Sequence, residues 1–598
     1  MRRIRSKSVE PKTVDSSSAS SDEDSVMSVQ NQFTSSTDNA DDMMNFYLII
    51  HMQSLILLLK QTLCSECNNY WNGSASIKQR DGLYMHIEFM CSNCRFITHL
   101  HSSPQIPNTR RREINIRLEI GGILCGLSHG GVMKFLGALN LPPPVQEQRY
   151  SEAQQFIWNY VTKAQEESMT AAVEEAIVEG GGMRELTVSG DGAWPTRGYS
   201  SVHGIAALCS TTSHPKVLDV TWSSKKCSKC QGAESLRYAN PDLFLIFQEN
   251  HDCQLNYAGS SGGMEKEMIH EMFCRSLPKY NIKYTSYIGD GDAKVHKYLV
   301  DNPSYSDVNI KKIEDTNHFA KRMLTRIMKI KKENANKILS DGKRFSGKGR
   351  MTDAQAVKFK IYFAKAIREN KTDLNKLYQR SWAIFKHHYS TDEQPMHEWC
   401  DLRWCKYLQA TANGEKFNHH SQVCIPRACL DMIKPVFDEL CTQNSLARVI
   451  GGGSQNANES FHSLLWTIVP KNRYCSSIKL RIGLGLSTII YNDGYESLNK
   501  LLTTIFSSMG HYSAECFYKL DAMRKSSASK KKKRVKTSQA AAATTTSISS
   551  SESDNENFHT VNEENFDDIS HDLTIFEQME SDQDEYDDNN DYEPGGDD

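Results

Sequence analysis

The sequence predicts a mixed α/β protein, and three observations carry that prediction. Through the middle of the chain, short apolar runs of strand length alternate with longer stretches of helical spacing. Several cysteines stand in C-x-x-C pairs, the spacing of small modules stapled by a metal. Residues 1–44 and 526–598 are low-complexity, so the ordered part is about 45–525.

The 598 residues carry 70 Lys+Arg against 73 Asp+Glu, a net charge of −3. At about 150 residues per domain this length allows about four domains, or one large domain with insertions. The charge is uneven. Residues 541–598 hold 19 acids and no Lys or Arg, and residues 45–540 hold 65 bases against 46 acids. A basic body suits a polyanion such as nucleic acid. Met1–Ser8 is basic but is followed by Ser- and Asp-rich sequence, not by the apolar core of a secretory signal. Tyr47–Leu59 is the most apolar run. It is interrupted by His51, Gln53 and Ser54 and is shorter than the ~20 residues of a membrane span, so it reads as buried core. With no signal, the 17 cysteines are expected to be reduced, and clustered ones point to metal.

Taken in order, residues 1–44 are Ser- and acid-rich and expected to be disordered. Residues 45–110 form a zinc-ribbon-like module. Cys64-x-x-Cys67 and Cys91-x-x-Cys94 lie 23 residues apart, and four thiolates complete a tetrahedral zinc shell. Residues 111–182 are a helical DNA-binding or linker region, with Phe156, Tyr160 and Val161 at helical spacing in Glu152–Ala176, ended by Gly180–Gly182. In 183–334, Glu185–Ser189 is β-like and ends at Gly190-Asp191-Gly192. His203–Ser210 and Val217–Trp222 form a hairpin. The insertion 223–263 holds Cys227-x-x-Cys230 and His251-x-Cys253, a second four-ligand zinc set. Met264–Leu277 is helical, Tyr284–Gly289 is a strand stopping at Asp290, Ala293–Val300 is helical, Val308–Ile313 is a strand and Thr316–Lys332 is a basic helix. Residues 335–450 are a helical insertion without a clear strand. Residues 451–525 complete the core, with Asn458–Ile468 a helix, and 526–598 are a disordered basic, then acidic, tail. Without its two insertions, the order strand-strand-strand-helix-strand-helix-strand-helix is that of a ribonuclease H-like core.

In that topology the first and fourth strands are neighbours, so Asp191 and Asp290 converge on one edge and Glu459 reaches them from a late helix. Three such carboxylates can hold two divalent cations about 3.5–4 Å apart, which activate a water and stabilise the leaving oxygen in phosphodiester cleavage. Oxygen ligands select Mg²⁺ or Mn²⁺. Singly, each Asp also reads as a turn or helix cap, Glu459 as a first-turn acid, and Asp292 rivals Asp290. Lys321, Arg322 and Arg326 form a basic face that suits phosphate, or a solvated surface. Lys343, Arg344, Lys348 and Arg350 leave the same two readings. His419, His420, Cys424 and Cys429 cluster without a ligand spacing. Lys530–Lys536 (KKKKRVK) reads as a nuclear import signal, with a DNA-binding tail as the alternative.

VSGDGAW (188–194), NYAGSSGGMEKE (256–267), YIGDGDAKVHKYL (287–299), TNHFAKRM (316–323) and SQNANESFHSLLW (454–466) together resemble the Mutator-like transposase domain of animal DNA transposons. The resemblance runs from about Cys64 to Leu501. It implies a DDE-type transposase with Asp191, Asp290 and Glu459 as its acids, Asp292 remaining the alternative second acid. Asp315-Thr316-Asn317-His318 matches a motif with Asp where related proteins often have Cys, and implies that His318 positions DNA or the leaving strand. The resemblance supports the second zinc set and implies binding to terminal inverted repeats and target DNA by at least two copies. The compact HEWCDLRWC (397–405) departs from the longer glycine-containing loop of related proteins. The expected function is metal-dependent strand cleavage and strand transfer in the nucleus, with no membrane and no small-molecule cofactor. The alternatives are a domesticated, catalytically idle DNA-binding protein, or a nuclease without strand transfer.

Overall fold

The structure is a computed structural model that describes residues 45–526, apart from 197–200, 252, 292–293, 348, 420–424 and 474. The ribbon-like part begins with helix α1 (Met52–Leu59) and continues as an antiparallel meander of β1 (Gly73–Asp81), β2 (Tyr84–Cys91) and β3 (Ile97–His101). Its small core is Cys64, Trp71, Ile87, Phe89 and Cys91, with Leu55, Ile56 and Leu59 against it. The expectation that Tyr47–Leu59 is buried core is corrected here. Leu48 is 65% exposed and Ile49 77%, and no residue of α1 is buried. Within the run, Leu55, Ile56 and Leu59 pack on the ribbon core and Tyr47 meets Ser103, while Leu48, Ile49, Leu57 and Leu58 face outward.

Helices α2 (Glu113–Leu124), α3 (His129–Ala138) and α4 (Glu147–Glu179) follow. The main sheet comprises β4 (Glu185–Ala193), β5 (His203–Ser210), β6 (Val217–Ser224), β7 (Lys283–Gly289) and β8 (Lys311–Glu314), in the order β6-β5-β4-β7-β8. The β6–β5 and β5–β4 junctions are antiparallel, and β4–β7 and β7–β8 are parallel. Between β6 and β7 lie the short helices α5 (Ser228–Gly232), α6 (Glu234–Ala239) and α7 (Pro241–Glu249), then α8 (Met264–Tyr280). The α8 side chains Met264, Met268, Ile269, Met272 and Phe273 fall on one stripe and are buried. Helix α9 (Lys294–Asp301) joins β7 to β8.

Two strand expectations change. The first strand does not end at Gly190; pairing with β5 continues to Ala193↔Ile205, which puts Asp191 inside the ladder opposite Ala207. The glycines on either side permit this: a Cβ at Gly190 would sit 2.6 Å from the Tyr287 ring, and one at Gly192 would sit 2.8 Å from Glu265. Along the last strand, only Lys311–Glu314 pairs, with Ser286–Gly289 of β7; earlier in β7 the Tyr284 N–H is taken by the Tyr305 hydroxyl.

Helices α10 (Thr316–Glu333), α11 (Asp353–Glu369), α12 (Leu374–Tyr389), α13 (Lys406–Ala412), α14 (Arg427–Leu440) and α15 (Gln443–Ala447) follow, and all but α13 contribute to a second core around Phe345, Phe359, Phe363 and Phe437. No strand occurs among the described residues of 350–450. Phe319, Met323, Leu324 and Ile327 of α10 belong to this second core, so α10 links it to the sheet edge. The chain returns to the sheet with α16 (Asn456–Ile468) and α17 (Ser477–Asp493), and continues in α18 (Ser497–Phe506). Helices α4, α16 and α17 share the main hydrophobic core with the sheet. No described helix is long and apolar enough to cross a membrane.

Candidate active site and metal centres

Residues alternate faces along a strand. With Gly190 and Gly192 turned toward α8, Ser189 and Asp191 face α16. That helix is fastened to the sheet by buried polar contacts. Ser189 Oγ donates to Asn458 Oδ1, Asn458 Nδ2 donates to the Ala207 carbonyl at 2.9 Å, and Gln455 Nε2 donates to the Gly190 carbonyl at 2.7 Å. The turn before it needs Gly451 and Gly452, whose φ of +99° and +63° lie in the left-handed region.

Asp315 ties the same helix to α10. One carboxylate oxygen accepts from the His318 backbone N–H at 2.7 Å as the α10 cap, and the other accepts from the Gln455 N–H at 2.8 Å. Its own N–H donates to the Gly289 carbonyl at the end of β7, one residue before Asp290.

These fastenings place Asp290 and Glu459 on either side of His318 and Asp191 against His462. His318 Nδ1 lies 3.1 Å from Asp290 Oδ1, and its Nε2 lies 3.7 Å from Glu459 Oε1. His462 Nδ1 lies 3.4 Å from Asp191 Oδ2. The Asp290 and Glu459 side chains are 59% and 54% exposed, open to a charged ligand. Hydrogen bonding to Asp290, then to Glu459, raises the His318 imidazole to about 10. The same contact holds the Asp290 carboxyl down at about 2 and lowers that of Glu459. Both carboxylates thus favour the protonated form of His318.

His462 is the contact that sequence reasoning missed. Its signal was present: three residues after Glu459 on a helix places both on one face. Asp292, the rival second acid, lies outside the described residues, as do Lys348, His420, Cys424 and Lys530–Lys536. A cavity of about 250 Å³ opens beside the acids, lined by Asp290, His318, Lys321, Arg322, Thr325 and Arg326. Arg322 pairs with Glu314 at 2.9 Å and Arg326 with Glu439 at 2.7 Å, so both reach anions already. Arg350 is paired with Asp341.

Two cysteine-rich groups can hold zinc. Tetrahedral bonds of about 2.3 Å to sulfur set S···S edges of roughly 3.8 Å. Cys64–Cys94 and Cys67–Cys91 stand at 3.6 and 4.0 Å, and all four sulfurs cluster. The Cys94 backbone N–H beside Cys91 draws its thiol down to about 6, favouring the thiolate that a metal binds. In the insertion, His251 Nε2 lies 3.4 Å from Cys227 and 3.2 Å from Cys230, and Cys230 lies 3.6 Å from Cys253. His251 Nδ1 donates to the Phe247 carbonyl at 2.9 Å, which leaves the Nε2 lone pair for a metal. All 16 described cysteines are free. Cys429 is packed in the helical core with its thiol on the Phe345 carbonyl, and does not join His419 in a cluster.

A family model described as Mutator-like transposase matches residues 47–405. The match includes Asp191, Asp290, His318 and both zinc-type groups, while Glu459 lies beyond it. No curated protein matches the chain. The match covers more than half of the sequence, and the chain belongs to the Mutator-like transposase family.

Proposed function

We propose that this chain is a DDE-type transposase that binds transposon-end DNA at terminal inverted repeats and catalyses metal-dependent strand cleavage and strand transfer. The observation that carries this reading is the convergence of Asp290, His318 and Glu459, from three different elements, beside the strand that bears Asp191. The antiparallel-antiparallel-parallel-parallel sheet supports a ribonuclease H-like core in 183–334 and 451–525; 335–450 is then a helical insertion, 45–110 a zinc-ribbon-like module and 111–182 a helical DNA-binding or linker region.

The family implies a divalent metal, and the donor set fits a hard cation: three carboxylates on one edge, none fully buried. Asp191, Asp290 and Glu459 would hold Mg²⁺ or Mn²⁺, which when bound supplies an activated water or 3′-hydroxyl and stabilisation of the leaving oxygen. His318 lines the same cavity, where it faces a phosphate or the leaving strand. Lys321, Arg322 and Arg326 line the approach and exchange carboxylate partners for phosphate oxygens. His462 holds Asp191 in place from below. The basic run Lys530–Lys536 supports a nuclear location, and paired transposon ends call for a homo-oligomer.

The test is Mg²⁺-dependent cleavage and strand transfer on DNA carrying the sequences that flank the gene. Wild type is expected to cut and join, with Asp191→Ala and Glu459→Ala each losing activity by at least ~10²-fold. Binding without cleavage in Mg²⁺ or Mn²⁺, unchanged by either substitution, would instead establish a domesticated DNA-binding protein.

A further inference from the structure

Among its described residues, the stretch between α12 and α14 (390–426) contains one α-helix, α13, and of its apolar side chains only Cys400, Cys405 and Ile425 are buried. Such a segment cannot be ordered by hydrophobic burial alone. Its own core is Ala383, Cys400 and Cys405, flanked by Trp399, Tyr407 and Leu408. Against that core stand two imidazoles, His387 from the last turn of α12 and His397 from the following loop.

Their spacing is that of ligands around an ion. Tetrahedral bonds of about 2.0–2.1 Å to nitrogen and about 2.3 Å to sulfur set N···N edges of roughly 3.3 Å and N···S edges of roughly 3.6 Å. The two Nδ1 atoms are 3.2 Å apart. Cys400 Sγ lies 3.7 Å from His387 Nδ1 and 3.6 Å from His397 Nδ1. Cys405 Sγ lies 3.8 and 3.5 Å from the same two atoms. Five edges of one tetrahedron therefore have the lengths that a zinc ion dictates.

The outer contacts agree. His397 Nε2, the nitrogen turned away from the thiols, lies 2.9 Å from Ser390 Oγ and 2.9 Å from His419 Nε2. His419 Nδ1 in turn meets the Asp392 carboxylate at 2.6 Å. A carboxylate reached through the far nitrogen is how ligating histidines are oriented. The charge also balances: two thiolates and two neutral imidazoles around Zn²⁺ make a neutral site, suited to the burial of His397, Cys400 and Cys405. The plain alternative, two core thiols beside two core histidines, accounts for the 3.2 Å approach as one N–H···N hydrogen bond, but not for both thiols standing 3.5–3.8 Å from both nitrogens.

We propose that His387, His397, Cys400 and Cys405 form a third zinc site, with Ser390, His419 and Asp392 as its outer support. It staples the 390–426 segment to α12 inside the helical insertion. Its ligand spacing, H-x₉-H-x₂-C-x₄-C, crosses a helix end, which is why it does not read as a zinc motif in the sequence.

The experiment is metal content of the full chain after dialysis into Mg²⁺ buffer without chelator. Cys400→Ser/Cys405→Ser is expected to hold one zinc equivalent less than wild type, while Cys227→Ser/Cys230→Ser removes a different one. Equal zinc in wild type and Cys400→Ser/Cys405→Ser overturns the site. A second measurement uses wild type alone, so it survives a variant that does not fold. Maleimide labelling mapped by mass spectrometry is expected to reach Cys400 and Cys405 only after a zinc chelator is added. The same modification of both thiols with and without chelator overturns the site.

Discussion

At the scale of single residues, charge placement decides most of what this molecule can do. His318 stands between Asp290 and Glu459, and its charge relieves the repulsion of two acids at one edge. Elsewhere a lone acid has no such partner. Glu119 on α2 is buried against α4, and burial pushes its carboxyl up to about 9 despite Gln154 and Arg111 nearby; Tyr150 faces it as well. The folded chain thus keeps a proton that the unfolded chain loses above an ordinary value of 4.5. Stability from this group is full below pH 4.5 and falls as pH rises toward 9, by about 1.4 kcal/mol per unit. Urea unfolding from pH 5 to 8 should show that decline, and Glu119→Gln should flatten it. An unchanged slope in the variant would refute the assignment. The place of Asp290 just after a strand was legible in the sequence, while that of Asp191 was only half so, since its flanking glycines were read as a strand end and the strand runs on to Ala193. The His462–Asp191 contact was not legible, since it depends on how α16 is rolled against β4, which Gln455 and Asn458 set.

At the scale of elements, strands with long partners were read well and strands with short partners were not. His203–Ser210 is bounded in the structure as its apolar run suggests. Val308–Ile310 is apolar enough for a strand but does not pair with Lys283–Thr285 of β7, where the Tyr284 N–H donates to the Tyr305 hydroxyl instead. Tyr47–Leu59 failed for the same kind of reason, because apolarity measures a wish for burial and not the presence of a neighbour. The join between β6 and α8 rests on a charge that sequence could not pair. Asp219 is fully buried, and Arg275 grips both of its carboxylate oxygens at 2.7 and 2.8 Å, with Lys279 at 3.5 Å. Arg275→Met strands that carboxylate and should cost about 3–5 kcal/mol in urea unfolding. Asp219→Asn/Arg275→Met should recover most of it. A loss under ~1 kcal/mol in the single variant would mean that Lys279 or water suffices.

At the scale of the whole molecule, two cores meet along α10, whose apolar side enters the helical insertion while its first turn carries His318 to the sheet edge. The insertion and the site are therefore mechanically joined, a feature hidden from sequence because Asp315 and Gln455 come together only in the fold. The basic body and the acidic stretch 541–598 are legible from composition alone. Opposite charges on one chain compete with an external polyanion, so deleting 541–598 should raise DNA affinity severalfold at low salt, with the gain shrinking as salt screens it. Equal affinity of the two proteins at low salt would remove the tail from DNA binding. The central claim is that Asp191, Asp290 and Glu459 share one metal site, and it can be tested without knowing the DNA ends. Fe²⁺ is bound in place of Mg²⁺, and hydroxyl radicals are generated with ascorbate and peroxide. The account predicts backbone cuts near residues 191, 290 and 459 together, suppressed by excess Mg²⁺ and lost in Asp290→Asn. Cuts confined to the cysteine clusters, or unchanged by Asp290→Asn, would contradict it.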